Sequence, residues 1–129
     1  MKIDHVALWA KDMDKIINFY VKYFSAEPGE VYHNPVKRLT TCFIIFPDGG
    51  AGLEIMNVPD IADGPPHILQ SKGLCHISIS LGSEDKVDRL TETMRSDGVS
   101  IIGNPGTTDD GYYESVIADP EGNVVELTI

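Results

Sequence analysis

The sequence predicts an α+β protein built from two βαβββ modules, and three observations predict it. The order of apolar runs, helical stretch and turn signals in residues 1–57 is repeated in residues 74–129. A histidine opens the first apolar run of each half and a glutamate lies near the end of its last run. Glu54 follows His5 by 49 residues, and Glu126 follows His76 by 50. A glycine stands four residues ahead of each glutamate (Gly50 and Gly122), where it closes a turn before the final strand.

In the first half, residues 3–9 form a short apolar run of strand type, and Asp12 is placed to cap a helix. Met13, Ile16, Ile17, Tyr20 and Phe24 follow helical spacing, and Pro28 and Gly29 end that element. A short strand is expected at residues 31–32 and a β-rich strand over 39–46. A turn at 47–50 then leads to a strand over 51–57. In the second half a strand is expected over 74–81. Ser83 caps a helix to about Arg95 with Val87, Leu90 and Met94 on one face. Asp97 and Gly98 stop it, and strands are expected over 99–102, 112–118 and 124–129. Residues 58–73 hold three prolines and two glycines and read as a linker inside a single domain spanning 1–129.

Composition excludes several function classes. A chain of 129 residues buries roughly two-thirds of its unfolded surface, enough for one core. The net charge of −10 argues against nucleic acid and anionic membrane as partners, because both need a positive face. No apolar run approaches the ~20 residues of a membrane span, and Asp4 and His5 interrupt any leader-like core. The expected location is therefore cytoplasmic. Cys42 and Cys75 lack CxxC spacing and read as buried thiols.

Strand side chains alternate between faces. That rule puts Cys75, Ile77, Ile79 and Leu81 toward the helices, with His76 opposite. Val125 and Leu127 likewise face the helices and leave Glu126 on the other side. His5 shares its face with Ala7 and Trp9, and Glu54 shares its face with Met56. On a curved sheet all four residues would line one concave surface. Two carboxylates there repel each other and lose hydration, which a divalent cation relieves. Two imidazoles complete an N₂O₂ donor set suited to nickel, zinc, cobalt, iron or manganese. His33 and His67 fall in expected loops and take no role.

The chain resembles the vicinal oxygen chelate superfamily, which includes glyoxalase I, bleomycin-resistance proteins and extradiol dioxygenases. The resemblance rests on His5-Val-Ala-Leu, Asn18-Phe-Tyr with Tyr23-Phe24, Leu53-Glu54-Ile55, Cys75-His-Ile-Ser-Ile and Asp119-Pro-Glu-Gly-Asn-Val-Val-Glu-Leu, and it spans essentially the whole chain. It implies a cupped, mostly antiparallel sheet with helices outside and one divalent ion, nickel or zinc first. The implied ligands are His5, Glu54, His76 and Glu126, as in glyoxalase I. It further implies Glu54 and Glu126 as proton-transfer groups in a carbon–sulfur lyase acting on a metal-chelated thiol adduct. A homodimer with the site at the interface is the implied assembly. Trp9 stands where glutathione-using members carry an arginine, so glutathione is not implied as the thiol. Trp9, Met56, Tyr112 and Tyr113 are the candidate pocket wall. The alternatives are an epimerase like methylmalonyl-CoA epimerase and a non-catalytic binding protein like those for bleomycin. The intact ligand set speaks against the binding protein, and solvent deuterium exchange into a 2-methylmalonyl thioester would distinguish the epimerase.

Overall fold

In a computed structural model, which describes residues 1–64 and 72–129, alternation makes residues His5–Trp9 the first strand, β1. His67, Pro65 and Pro66 of the expected linker lie outside the described residues. Asp12 accepts a hydrogen bond from the Lys15 N–H and starts α1 (Met13–Phe24). Ser25 ends the helix in the left-handed conformation. The chain continues through β2 (Glu27–Pro28), β3 (Tyr32–Asn34), β4 (Leu39–Ile45) and β5 (Gly52–Asn57). In this first unit, Met1–Asp63, the sheet order is β1-β5-β4-β2, with β3 also paired to β4; β1 runs parallel to β5 and the other pairs are antiparallel. Ile16, Phe19, Tyr20 and Phe24 form the buried stripe of α1, and Ile44, Leu53 and Ile55 are the buried strand residues of the same unit. Each such side chain contributes about 1.5–3 kcal/mol on burial.

The second unit, Gly64–Ile129, repeats the plan. It consists of β6 (Ile77–Ser80), α2 (Glu84–Ser96), β7 (Ile101–Thr107), β8 (Tyr113–Ala118) and β9 (Val124–Thr128). The sheet order is β6-β9-β8-β7, with β6 parallel to β9. Ser83 caps α2 by accepting from the Lys86 N–H. Val87, Thr91 and Met94 are buried on the helix, and Ser115, Ile117, Val125 and Leu127 on the strands. The fold class is α+β, as expected, with two helices and open sheets of five and four strands among the described residues. No helix of the described residues is long and apolar enough to cross a membrane.

Four local expectations change. The strand expected from residue 74 begins at Ile77, so His76 lies just ahead of β6 and Cys75 is an exposed rather than a buried thiol. His33 lies on β3, not in a loop, with Nδ1 3.1 Å from Thr40 Oγ1. The strand expected over 99–102 extends to Thr107. As an edge strand, β7 accommodates Pro105, and two register shifts absorb the glycines. The two-residue β2 was not expected: its Glu27-Pro28 composition carries no β signal, and pairing with β4 alone makes it a strand.

Candidate metal centre

The register of the parallel strand pair does the same thing in both units. Ala7 stands opposite Glu54, and Ser78 stands opposite Glu126. Each histidine is two residues ahead of that row, so it meets its glutamate on the diagonal and on the same face. His5 Nε2 lies 3.7 Å from Glu54 Oε2, and His76 Nε2 lies 3.2 Å from Glu126 Oε2. Exposure matches as well: 39% and 38% for the two imidazoles, 19% and 17% for the two carboxylates. Half-buried carboxylates beside imidazoles of similar exposure make two equivalent N,O pairs.

The donor chemistry fits a divalent cation. Nitrogen and oxygen donors sit about 2.0–2.2 Å from such an ion, so separations of 3.2 and 3.7 Å subtend angles of about 100–125° at it. Two ligands of one tetrahedral or octahedral ion fall in or near that range. Among the described residues no three ligating side chains gather into one group, so each unit offers a pair.

The surroundings of the pairs differ. In the first unit Phe43 is opposite Glu54 on β4, and its ring meets the His5 ring edge-on at 5.2 Å. Trp9 is opposite Met56 in the next row, and Trp9 is half-exposed. Asp4 precedes β1, and its Oδ2 accepts a hydrogen bond from His5 Nδ1 at 3.0 Å; that bond holds the Asp4 carboxyl below its ordinary value. Asn57 donates to the Ala10 carbonyl at 2.7 Å and ties the end of β5 to the stretch after β1.

In the second unit Val116 takes the place opposite Glu126, and Glu114 lies two residues along on the same face. Burial pushes the Glu114 carboxyl up, and the nearby charge of Glu126 adds to it. Asp119 is buried and accepts bonds from the N–H groups of Glu121 and Asn123 and from the Asn123 side chain, each at 2.9 Å. It thereby fixes the turn that launches β9 and sets where Glu126 stands. Tyr112 is exposed just outside β8. The Tyr113 hydroxyl donates to Asp88 of α2 at 2.7 Å, which puts its ring on the helix side of the sheet rather than the Glu126 side. That bond holds the Tyr113 hydroxyl above its ordinary range.

Sequence reasoning passed over Phe43, Glu114 and Asp4. Alternation along β4 and β8 was the available signal for the first two. Asp4 carried none, because a residue just outside a strand is not bound by alternation.

The chain matches the family model of the glyoxalase/bleomycin resistance protein/dioxygenase superfamily over residues 2–127. No curated protein is significantly similar to it in sequence. Among solved structures it resembles a glyoxylase/bleomycin resistance protein/dioxygenase domain from Frankia sp. EAN1pec, with 16% identity and a TM-score of 0.84 over 100% of this chain and 97% of that one. It also resembles glyoxalase I from Zea mays, with 22% identity and a TM-score of 0.80 over 98% of this chain and 44% of the maize chain. The trypanothione-dependent glyoxalase I of Leishmania major aligns at 20% identity and a TM-score of 0.77, over 99% of this chain and 86% of that one. This chain thus spans less than half the length of the maize enzyme, and identities this low speak for the fold alone. The family match over nearly the whole length, on a fold that repeats one module twice, makes the chain a member of the glyoxalase/bleomycin resistance protein/dioxygenase superfamily.

Proposed function

We propose that the protein is a metal-dependent lyase of glyoxalase I type, moving a proton between adjacent carbons of a thiol adduct of a 2-oxoaldehyde. The observation that carries this reading is the pair of His–Glu diagonals, set by identical register in both units. In this reading His5, Glu54, His76 and Glu126 together hold one divalent ion, nickel or zinc first. When bound, such an ion supplies the charge that polarises a carbonyl and acidifies the neighbouring C–H. Glu54 or Glu126 takes that proton and returns it to the adjacent carbon, and the hand of the substrate decides which one acts. Their partial burial keeps water from competing for the proton. Trp9, Met56 and Phe43 offer an apolar face beside His5, which favours a substrate whose thiol carries little negative charge there. Tyr112 would border the second half.

The full four-donor set in this proposal forms at the interface of a homodimer, one pair from each chain.

The test is turnover of methylglyoxal hemithioacetals made with a panel of thiols by the nickel- or zinc-loaded protein. Glu54→Gln and Glu126→Gln are each expected to lower kcat/KM by about 10²–10⁴-fold, the typical contribution of a positioned proton-transfer group. Unchanged activity in both variants would contradict the assignment.

A further inference from the structure

We propose that Asp4 is the positioning residue of His5: its carboxylate fixes the imidazole proton on Nδ1 and leaves Nε2 free as a donor, whereas among the described residues His76 has no such partner. The proposal rests on the reading of His5 as a metal donor. Which nitrogen of a neutral histidine carries the proton is set by the hydrogen bond that the other nitrogen makes or lacks. A carboxylate accepting from one ring nitrogen orients the ring and raises the donor strength of the other. In the first unit Asp4 Oδ2 is 3.0 Å from Nδ1, while Glu54 Oε2, at 3.7 Å, lies beyond hydrogen-bond reach of Nε2. The Nδ1-protonated form is therefore favoured, and Nε2 presents its lone pair toward Glu54.

The second unit is built differently just ahead of its histidine. Cys75 stands where Asp4 does, one residue ahead of the histidine. His76 Nε2 lies only 3.2 Å from Glu126 Oε2, so the carboxylate nearest this ring favours the proton on Nε2, the nitrogen that would have to bind a cation. His76 must therefore exchange its proton before it can ligate, and His5 need not. The two pairs share one strand register and are unequal in readiness, with His5–Glu54 the first to engage a cation.

The test reads the tautomers directly, in metal-free ¹⁵N-labelled protein. Two-bond ¹H–¹⁵N correlations are expected to show His5 protonated on Nδ1 and His76 on Nε2. Asp4→Ala is expected to move His5 toward the Nε2-protonated form. Asp4→Asn, whose amide oxygen accepts the same bond, is expected to leave it unchanged. Cys75→Asp should shift His76 toward Nδ1 protonation. With zinc as the probe and a chelator as competitor, Asp4→Ala should weaken binding about 10-fold, at the low end of the range for such partners, and Asp4→Asn should recover most of the loss. Nε2 protonation of His5 in the wild-type protein, or an unchanged His5 tautomer in Asp4→Ala, would overturn the proposal. If wild-type protein failed to bind zinc while the tautomers behaved as stated, the proposed function would fall and the role of Asp4 in orienting His5 would stand.

Discussion

Each glutamate of the two pairs has a neighbour across the sheet, and these neighbours separate the halves chemically. Phe43 stands opposite Glu54; on the other sheet Val116 stands opposite Glu126, and the ionisable Glu114 follows it on the same face. Burial and the Glu126 charge raise Glu114 above its ordinary 4.5, so the folded chain binds that proton more tightly than the unfolded one. The stability linked to Glu114 is therefore fully present below about pH 4.5 and is lost as pH rises through its higher folded value. Glu114→Gln is expected to melt above the wild-type protein at neutral pH and to lose that advantage below about pH 4.5; thermal melts of chelator-treated protein across this range check it. At this scale the His–Glu pairs were legible because repetition and alternation together fix a residue's place in a strand and its face. Glu114 was hidden because the first module carries Thr41 at the matching place, so repetition drew no attention to it.

At the scale of elements, the helices were the plainest features in the chain. Asp12 and Ser83 cap them as their residue types require, and the apolar spacing of Ile16, Tyr20 and Phe24, or of Val87 and Met94, gives the buried stripe. Edge strands were less legible. The extent of β7 depends on bulges beside Gly103 and Gly106, and β2 and β3 depend on what β4 offers them. The last turn matters more than its length suggests, because three bonds converge on the buried Asp119 carboxylate. Hydrogen bonds to a charged group contribute about 1.5–3 kcal/mol each, and they are not additive, so Asp119→Ala should cost at least about 2 kcal/mol in urea unfolding. The same variant should weaken metal binding, because the turn sets the start of β9. A loss within about 0.5 kcal/mol, the range of ordinary surface changes, would show that the turn is held by other means.

For the whole molecule, a repeated unit of one strand, one helix and a following run of strands supplies the same diagonal twice, and membership of the superfamily follows from the family match. The proposed homodimer has a specific signature. His5→Ala damages one pair and His76→Ala the other, so neither homodimer holds a complete donor set. After subunit exchange between the two variants, half of the dimers are mixed and one of their two sites is intact, which restores about a quarter of wild-type metal binding. Restoration near zero would place all four donors within one chain.

Whether two His–Glu pairs hold one divalent ion is read from the metal content of the purified protein, before and after nickel or zinc is added and excess removed. About one ion per chain is expected in the wild-type protein, lost in both His5→Ala and Glu126→Gln although each variant remains folded. No retained metal in the wild-type protein, or full retention in both variants, would contradict it.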